Sequence, residues 1–248
     1  MQCEGITKKG KRCKLKVKTG KFCRHHSEEK QSPELFDGTQ KIEGLGTGDS
    51  LYIPNFIDKP DEIFKLLQNE LEYFPREDVR FKIFNKVHTF QRDIVFHSDV
   101  EEDGIRPLFR YRLINQPESI QWTQTSELIR DAVKTKFNQL CNTAIVNRYR
   151  RNKDYIGPHH DKTGDLVPKS LIFSVSFGAV REFSLQSENK KQRIMLGSGS
   201  ILVLGPETNK TFKHSVTKSK GEDSERISIT LRSVKTFIDK KGKIFTRN

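Results

Sequence analysis

Alanine is almost missing from this sequence: 248 residues contain three. Isoleucine outnumbers leucine by 20 to 18, which tilts the composition toward strands. No stretch approaches the roughly 18 consecutive apolar residues that a membrane helix needs. Met1-Gln2-Cys3-Glu4 does not open a secretory signal. An intracellular, soluble protein is expected, nuclear or cytoplasmic, with no membrane contact. Disorder is excluded as well. Leu, Ile, Val and Phe supply 68 residues, about 27%, against the roughly 20% that marks an unfolded chain. The length suits one sizeable core plus a small appendage.

Acidic residues are in short supply, 32 against 45 Lys and Arg, for a net charge of +13. The excess sits at the ends. Residues 1–30 carry +7 and residues 232–248 carry +5, leaving about +1 between them. Basic ends on a near-neutral body suit attachment to a polyanion, with nucleic acid the leading candidate. A merely solubilising lysine surface would look the same by charge alone.

Cysteine is scarce too, and three of the four fall in the first 23 residues. Cys3, Cys13 and Cys23 are followed by His25 and His26, and Cys23 to His26 makes a C-x2-H step. Thiolates with one imidazole suit tetrahedral zinc, whose affinity substitutes for a core that so few residues cannot build. An odd number of local cysteines in a reducing compartment argues against disulfides. The expected zinc ligands are Cys3, Cys13, Cys23 and His26, with His25 the less favoured fourth. The pattern also resembles small zinc-knuckle modules. Cys141 stands alone and is expected to be a buried thiol. The expected organisation is a zinc module over 1–30, a Gly-rich flexible linker over 31–50, one domain over 51–235 and a basic tail over 236–248.

Within the domain, Asp58-Lys59-Pro60 predicts a helix start with Asp58 as cap, followed by Ile63, Leu66, Leu67, Leu71 and Phe74 at helical spacing. A second helix is expected over 125–140. The apolar runs 81–84 and 87–90 around Asn85-Lys86 predict a hairpin. From residue 144 short strands follow one another: 144–150, 170–177, 181–186, 192–196, 200–204, 212–217 and 226–232. Two early helices and many strands imply an α+β fold with a β-sandwich or barrel core.

His159-His160-Asp161 contains an H-x-D step, and His214 lies 53 residues beyond Asp161 on another expected strand. Two imidazoles and one carboxylate can hold Fe(II) on one face of an octahedron and leave three positions open. The step alone is weak, since His97-Ser98-Asp99 repeats it. Context separates the two. Asn147-Arg148-Tyr149 precedes the first, and Arg226-Ile227-Ser228-Ile229-Thr230-Leu231-Arg232 follows His214. On a strand, Arg226 and Arg232 share one face while Ile227, Ile229 and Leu231 share the other. Two guanidinium groups beside a metal suit a dianionic co-substrate.

From about Phe137 to Arg232 the order, spacing and flanking residues resemble the AlkB family of Fe(II)- and 2-oxoglutarate-dependent dioxygenases. The matching runs are NRYRRNKDYIGPHHD, SVSFGAVREF, GSGSILVLG, HSV and RISITLR. The resemblance implies a double-stranded β-helix (jelly-roll) core with flanking helices. It also implies Fe(II) on His159, Asp161 and His214, and 2-oxoglutarate held by Asn147, Tyr149, Arg226 and Arg232. Arg226 would take the distal carboxylate, with Arg232 near the metal end. The implied activity is oxidative dealkylation of N-alkylated DNA bases, releasing formaldehyde and succinate. Upstream, residues 83–92 resemble the hairpin of the duplex-DNA-repair branch, with Phe84 as base-stack wedge and Arg92 beside it, and Tyr111 would stack on the flipped base. Two features depart from the family. Lys162 and Thr163 follow Asp161 where an acid usually contacts the base, and the cysteine module is an addition. Rival readings are a dioxygenase acting on RNA or protein, or a nucleic-acid-binding protein without turnover. A monomer is expected.

Overall fold

The computed structural model describes residues 34–219 and 223–247 apart from Arg112, together with Lys14 alone. The expected zinc ligands Cys3, Cys13, Cys23 and His26 lie outside the described residues. The chain opens with β1 (Glu34–Phe36), β2 (Ile42–Leu45) and β3 (Ser50–Ile53), then α1 (Pro60–Glu70). A hairpin of β4 (Arg80–Ile83) and β5 (Lys86–Thr89) leads to β6 (Asp93–Ser98), β7 (Arg106–Pro107) and α2 (Gln124–Phe137). Then come β8 (Thr143–Tyr149), β9 (Ile156–His159), β10 (Ile172–Gly178), β11 (Arg181–Gln186), β12 (Lys191–Leu196) and β13 (Ser200–Leu204). The short α3 (Pro206–Thr211) precedes β14 (Lys213–Val216), β15 (Arg226–Arg232), β16 (Thr236–Ile238) and β17 (Ile244–Thr246).

Two sheets carry the architecture: seven strands in the order β2-β3-β13-β10-β15-β8-β6, and five in the order β1-β12-β11-β14-β9. From β8 to β15 the chain swings between them, with β8, β10, β13 and β15 in the large sheet and β9, β11, β12 and β14 in the small one. This is the jelly-roll core. Its large sheet is buried on both faces, and period-two alternation divides the residues between them. Ile227, Ile229 and Leu231 of β15 pack outward with Leu67 of α1 and with Ile129 and Val133 of α2. Tyr149, Ile172, Leu202 and Leu204 point inward, toward Phe183, Leu185 and Ile194 of the small sheet.

Three expectations need correction. Residues 34–50 are no flexible linker. β1 pairs in parallel with β12, and β2 joins β3, which extends the large sheet beyond β13. The glycines there serve close approach. A Cβ on Gly38 (φ +82°) would lie 1.9 Å from the Met195 carbonyl oxygen, and one on Gly46 (φ +64°) 2.3 Å from the Thr208 side chain. Residues 236–247 are likewise no free tail, because β16 pairs with both β7 and β17. The aromatic pair Phe237 and Phe245, with the Arg247 guanidinium over both rings, supplies the packing that a count of lysines hides. Finally, Asp58 does not cap α1. The cap position is Lys59 in a left-handed conformation, with no side-chain cap bond. Cys141 is buried as expected, and no helix among the described residues is long and apolar enough to cross a membrane.

Tyr52 shows how firmly this amino-terminal segment is tied in. Its ring is fully buried, and its hydroxyl donates to the Gly38 carbonyl (2.9 Å) and accepts from the Gly197 N–H (3.3 Å). Tyr52→Phe strips two half-buried backbone groups of that partner and should cost about 1 kcal/mol in urea unfolding. A linker-like segment would show no change.

Candidate active site

A cavity of about 840 Å³ opens between the two sheets. β9 and β14 are neighbours in the small sheet, and their register sets His159 opposite His214, with ring centroids 4.3 Å apart. Asp161 follows two residues after β9 ends. Its Oδ1 lies 3.4 Å from His159 Nε2 and 3.7 Å from His214 Nε2. One donor atom from each of the three residues lies within 4.8 Å of the others. The Nδ1–H of His159 can donate to the Gly157 carbonyl (2.9 Å), which leaves Nε2 as the free ligand atom. Burial pushes His214 below the ordinary histidine value, against the pull of Asp161, and so favours the neutral imidazole that a metal binds. Burial alone would raise Asp161. Arg232 and the two imidazoles overcome it and hold the carboxyl well below the usual range.

The inward face of β15 forms one wall. Arg232 Nη2 donates to Asp161 Oδ2 (2.6 Å) and Nη1 to the Tyr111 hydroxyl (3.3 Å). Arg226 differs. It is buried over the Tyr149 ring, and Nη2 donates to Ser176 Oγ (2.9 Å). Its Nε and Nη1 are also buried and have no hydrogen-bond partner among the described residues. A buried guanidinium with two unspent donors calls for a carboxylate. The residues present therefore fit both groups, with two imidazole nitrogens and a carboxylate for Fe(II) and a fork-shaped cation for the co-substrate. Asn147 and Tyr149 line the same cavity from β8, and Arg92 Nε donates to Asn147 Oδ1 (2.6 Å).

The rival H-x-D step does something else. His97 is fully buried, bonds Ser126 Oγ (3.0 Å) and meets the Trp122 edge, and burial pushes its pKa down to about 4. Asp99 accepts from Trp122 Nε1 (2.7 Å) and Arg130 Nη1 (3.0 Å). The expected substrate residues divide between tip and wall. Phe84 is 96% exposed at the turn between β4 and β5, and Tyr111 lines the cavity with one face stacked on Phe96 at 4.7 Å.

Three supporting residues escaped sequence reasoning. Asn209 of α3 clasps the backbone of Asp161, accepting from its N–H (2.9 Å) and donating to its carbonyl (3.0 Å). Asp49 holds α3 by accepting from the N–H groups of Glu207 (2.8 Å) and Thr208 (3.2 Å). Arg181, fully buried, donates to the carbonyls of Arg151, Asn152 and Thr217 and pins the loop after β8. A polar residue in a six-residue helix has no periodicity to announce it. Only the fold brings these groups beside the site.

A jelly-roll carrying two histidines, one aspartate and an unspent inward arginine defines a metal-dependent oxygenase that uses a dicarboxylate. Comparison with known proteins agrees. Residues 49–232 match the 2OG-Fe(II) oxygenase superfamily. The chain is 32% identical over 185 residues to DNA oxidative demethylase ALKBH2 of Mus musculus, covering 70% of this chain and 74% of that protein. It is 33% identical to the Homo sapiens ALKBH2, covering 70% and 68%. It is 23% identical over 215 residues to alpha-ketoglutarate-dependent dioxygenase alkB homolog 3 of Bos taurus, covering 80% and 71%. The chain belongs to the 2OG-Fe(II) oxygenase superfamily and, within it, to the AlkB family.

Removing a ligand should separate site from scaffold. His159→Ala, Asp161→Ala and His214→Ala should each lose Fe(II) binding in anaerobic calorimetry, whereas His97→Ala should keep it while lowering the thermal midpoint. Arg226→Ala should weaken 2-oxoglutarate binding about tenfold or more, the loss expected when one partner of a buried charged pair is removed. Equal 2-oxoglutarate titrations for variant and parent would contradict that role.

Proposed function

We propose that this protein repairs N-alkylated bases in DNA by oxidative dealkylation and prefers duplex substrates. The ALKBH2 relatives supply the substrate class, and the hairpin over the cavity is the observation that carries the duplex preference. Phe84 and Asn85 form its two-residue turn with φ of +46° and +62°. Two positive φ values suit the tight turn of a twisted hairpin, where Asn and Gly are usual and a bulky Phe is not. A strained, almost wholly exposed aromatic at a hairpin tip has no packing role in its own fold. Filling the gap left by an extruded base gives it one.

His159, Asp161 and His214 would hold Fe(II), and Arg226, Asn147 and Tyr149 would hold 2-oxoglutarate, with Arg232 near the metal end. With dioxygen as the oxidant, the bound iron and 2-oxoglutarate would supply the hydroxylation of an N-alkyl carbon, 2-oxoglutarate leaving as succinate and carbon dioxide, and a hydroxymethyl product would release formaldehyde. The chain supplies the rest. Arg232 keeps Asp161 charged and aimed, and Arg226 matches the distal carboxylate. Tyr111 forms part of the wall against which an extruded base would stack. The basic amino-terminal segment would add phosphate affinity, with zinc held by Cys3, Cys13, Cys23 and His26.

Formaldehyde release from one methylated oligonucleotide, paired and unpaired, tests the reading. Phe84→Ala should depress the rate on the duplex by about tenfold or more relative to the single strand, because extrusion costs a few kcal/mol that an unpaired strand avoids. Equal losses on both, with a lowered melting temperature, would make Phe84 structural. For the amino-terminal segment, metal analysis should find about one zinc per chain. Deleting residues 1–30 should flatten the salt dependence of DNA binding, and an unchanged slope would assign the segment another purpose.

A further inference from the structure

The charges around the cavity carry one step more, and it rests on the repair reading. Among the described residues that line the cavity, Asp161 is the sole carboxylate, while Arg92, Lys162, Arg226 and Arg232 are cationic. Asp161 is already committed to Arg232 and to the two imidazoles, and Arg226 is the donor set for the co-substrate. Two cations remain. Arg92 is buried, with its guanidinium 4.6 Å above the Phe90 ring and Nε on Asn147. Lys162, the residue after Asp161, lines the cavity with an exposed side chain, and its Nζ donates to the Arg110 carbonyl (3.2 Å), one residue from Tyr111.

Among the described residues that line the cavity, no second carboxylate balances them. Asp165 is the nearest acid in sequence, but it is buried and turned away from the cavity. It accepts the Arg110 N–H and guanidinium and the Thr236 hydroxyl (2.9 Å).

N-alkylated bases fall into two electrostatic classes. Alkylation at N1 of adenine or N3 of cytosine leaves the ring cationic, and transfer into a cavity with surplus positive charge is opposed by repulsion and desolvation. Alkylation at N1 of guanine or N3 of thymine leaves the ring uncharged, with carbonyl oxygens beside the alkylated nitrogen. Those oxygens accept hydrogen bonds, and ammonium and guanidinium groups only donate. We infer that this cavity selects uncharged alkylated bases bearing a carbonyl next to the alkylated nitrogen, and that Lys162 is the residue that sets the preference.

Four oligonucleotides of one sequence, each with a single 1-methylguanine, 3-methylthymine, 1-methyladenine or 3-methylcytosine, test it. They are presented single-stranded so that extrusion costs drop out. The parent protein should show the higher kcat/KM on the uncharged pair. Lys162→Glu should shift the ratio of cationic to uncharged turnover by about tenfold or more toward the cationic pair, with Lys162→Gln in between. Intrinsic reactivity differences between the bases cancel when each variant is divided by the parent. Two results overturn the inference while leaving repair intact: a parent protein that favours the cationic pair, or a ratio that Lys162→Glu does not move. Succinate formation from 2-oxoglutarate with none of the four bases dealkylated would overturn the repair reading itself, and this inference with it.

Discussion

A charged and largely buried carboxylate is a costly feature of this molecule, and much of its architecture works to hold it. Asp161 survives burial because Arg232 lies 2.6 Å away and two imidazoles converge on its other oxygen. Arg232 faces inward because β15 lies between β10 and β8, with Ile227, Ile229 and Leu231 committed to the helices on the opposite face. A one-residue slip of β15 would turn the arginines out and the isoleucines in. Core packing and site geometry are thus the same register. The carboxylate's backbone is fixed by Asn209, and α3, which carries Asn209, is fixed by Asp49. The segment just before β3 therefore reaches Asp161 through two polar contacts.

The same strand stores a second imbalance. Arg226 is buried with two unspent donors, a destabilising arrangement until an anion arrives. The cation sits over Tyr149, whose ring offsets part of the desolvation. A co-substrate carboxylate would satisfy the rest, which would couple ligand binding to fold stability. Such a site gives up some stability in the empty state for specificity toward a dianion, and the rigid wall of β8 and β15 withstands the strain because both strands pair on each side.

The parts legible in the sequence were those with a period or a spacing. β15 announces itself by strict alternation, and α2 by its apolar residues, though it ends at Phe137 rather than at 140. The two H-x-D steps could be told apart because one is followed by a polar-faced strand and the other is not. What escaped was structure built by tertiary contact. Residues 34–50 look like a linker because Gly38 and Gly46 punctuate them, yet those glycines let the chain press against Met195 and Thr208. Lys59 heads α1 in place of Asp58 because the left-handed turn that precedes Pro60 leaves no side-chain cap in reach. Asn209, Arg181 and Asp49 are ordinary polar residues until the fold sets them beside backbone groups that need partners.

The hairpin of β4 and β5 presents the opposite economy. Among the described strands it pairs only with itself, with one further backbone bond from the Ile114 N–H to the Arg80 carbonyl (2.8 Å), and an isolated two-stranded ribbon is marginal in water. It is held instead by rings: Phe81 packs on Phe90 at 4.9 Å and on His88 at 5.7 Å, and all three line the cavity mouth. Arg92 follows directly, over the Phe90 ring and bonded to Asn147 of the large sheet. The aromatic cluster that stabilises the hairpin is thus the roof of the site and is joined through one guanidinium to a residue of its wall. An extruded base entering under that roof would meet more aromatic surface, while Phe84, strained and solvent-exposed at the tip, would gain a stacked environment in exchange. Hairpin and base would each complete the other's packing, which is how a ribbon with so little support of its own would act on a duplex.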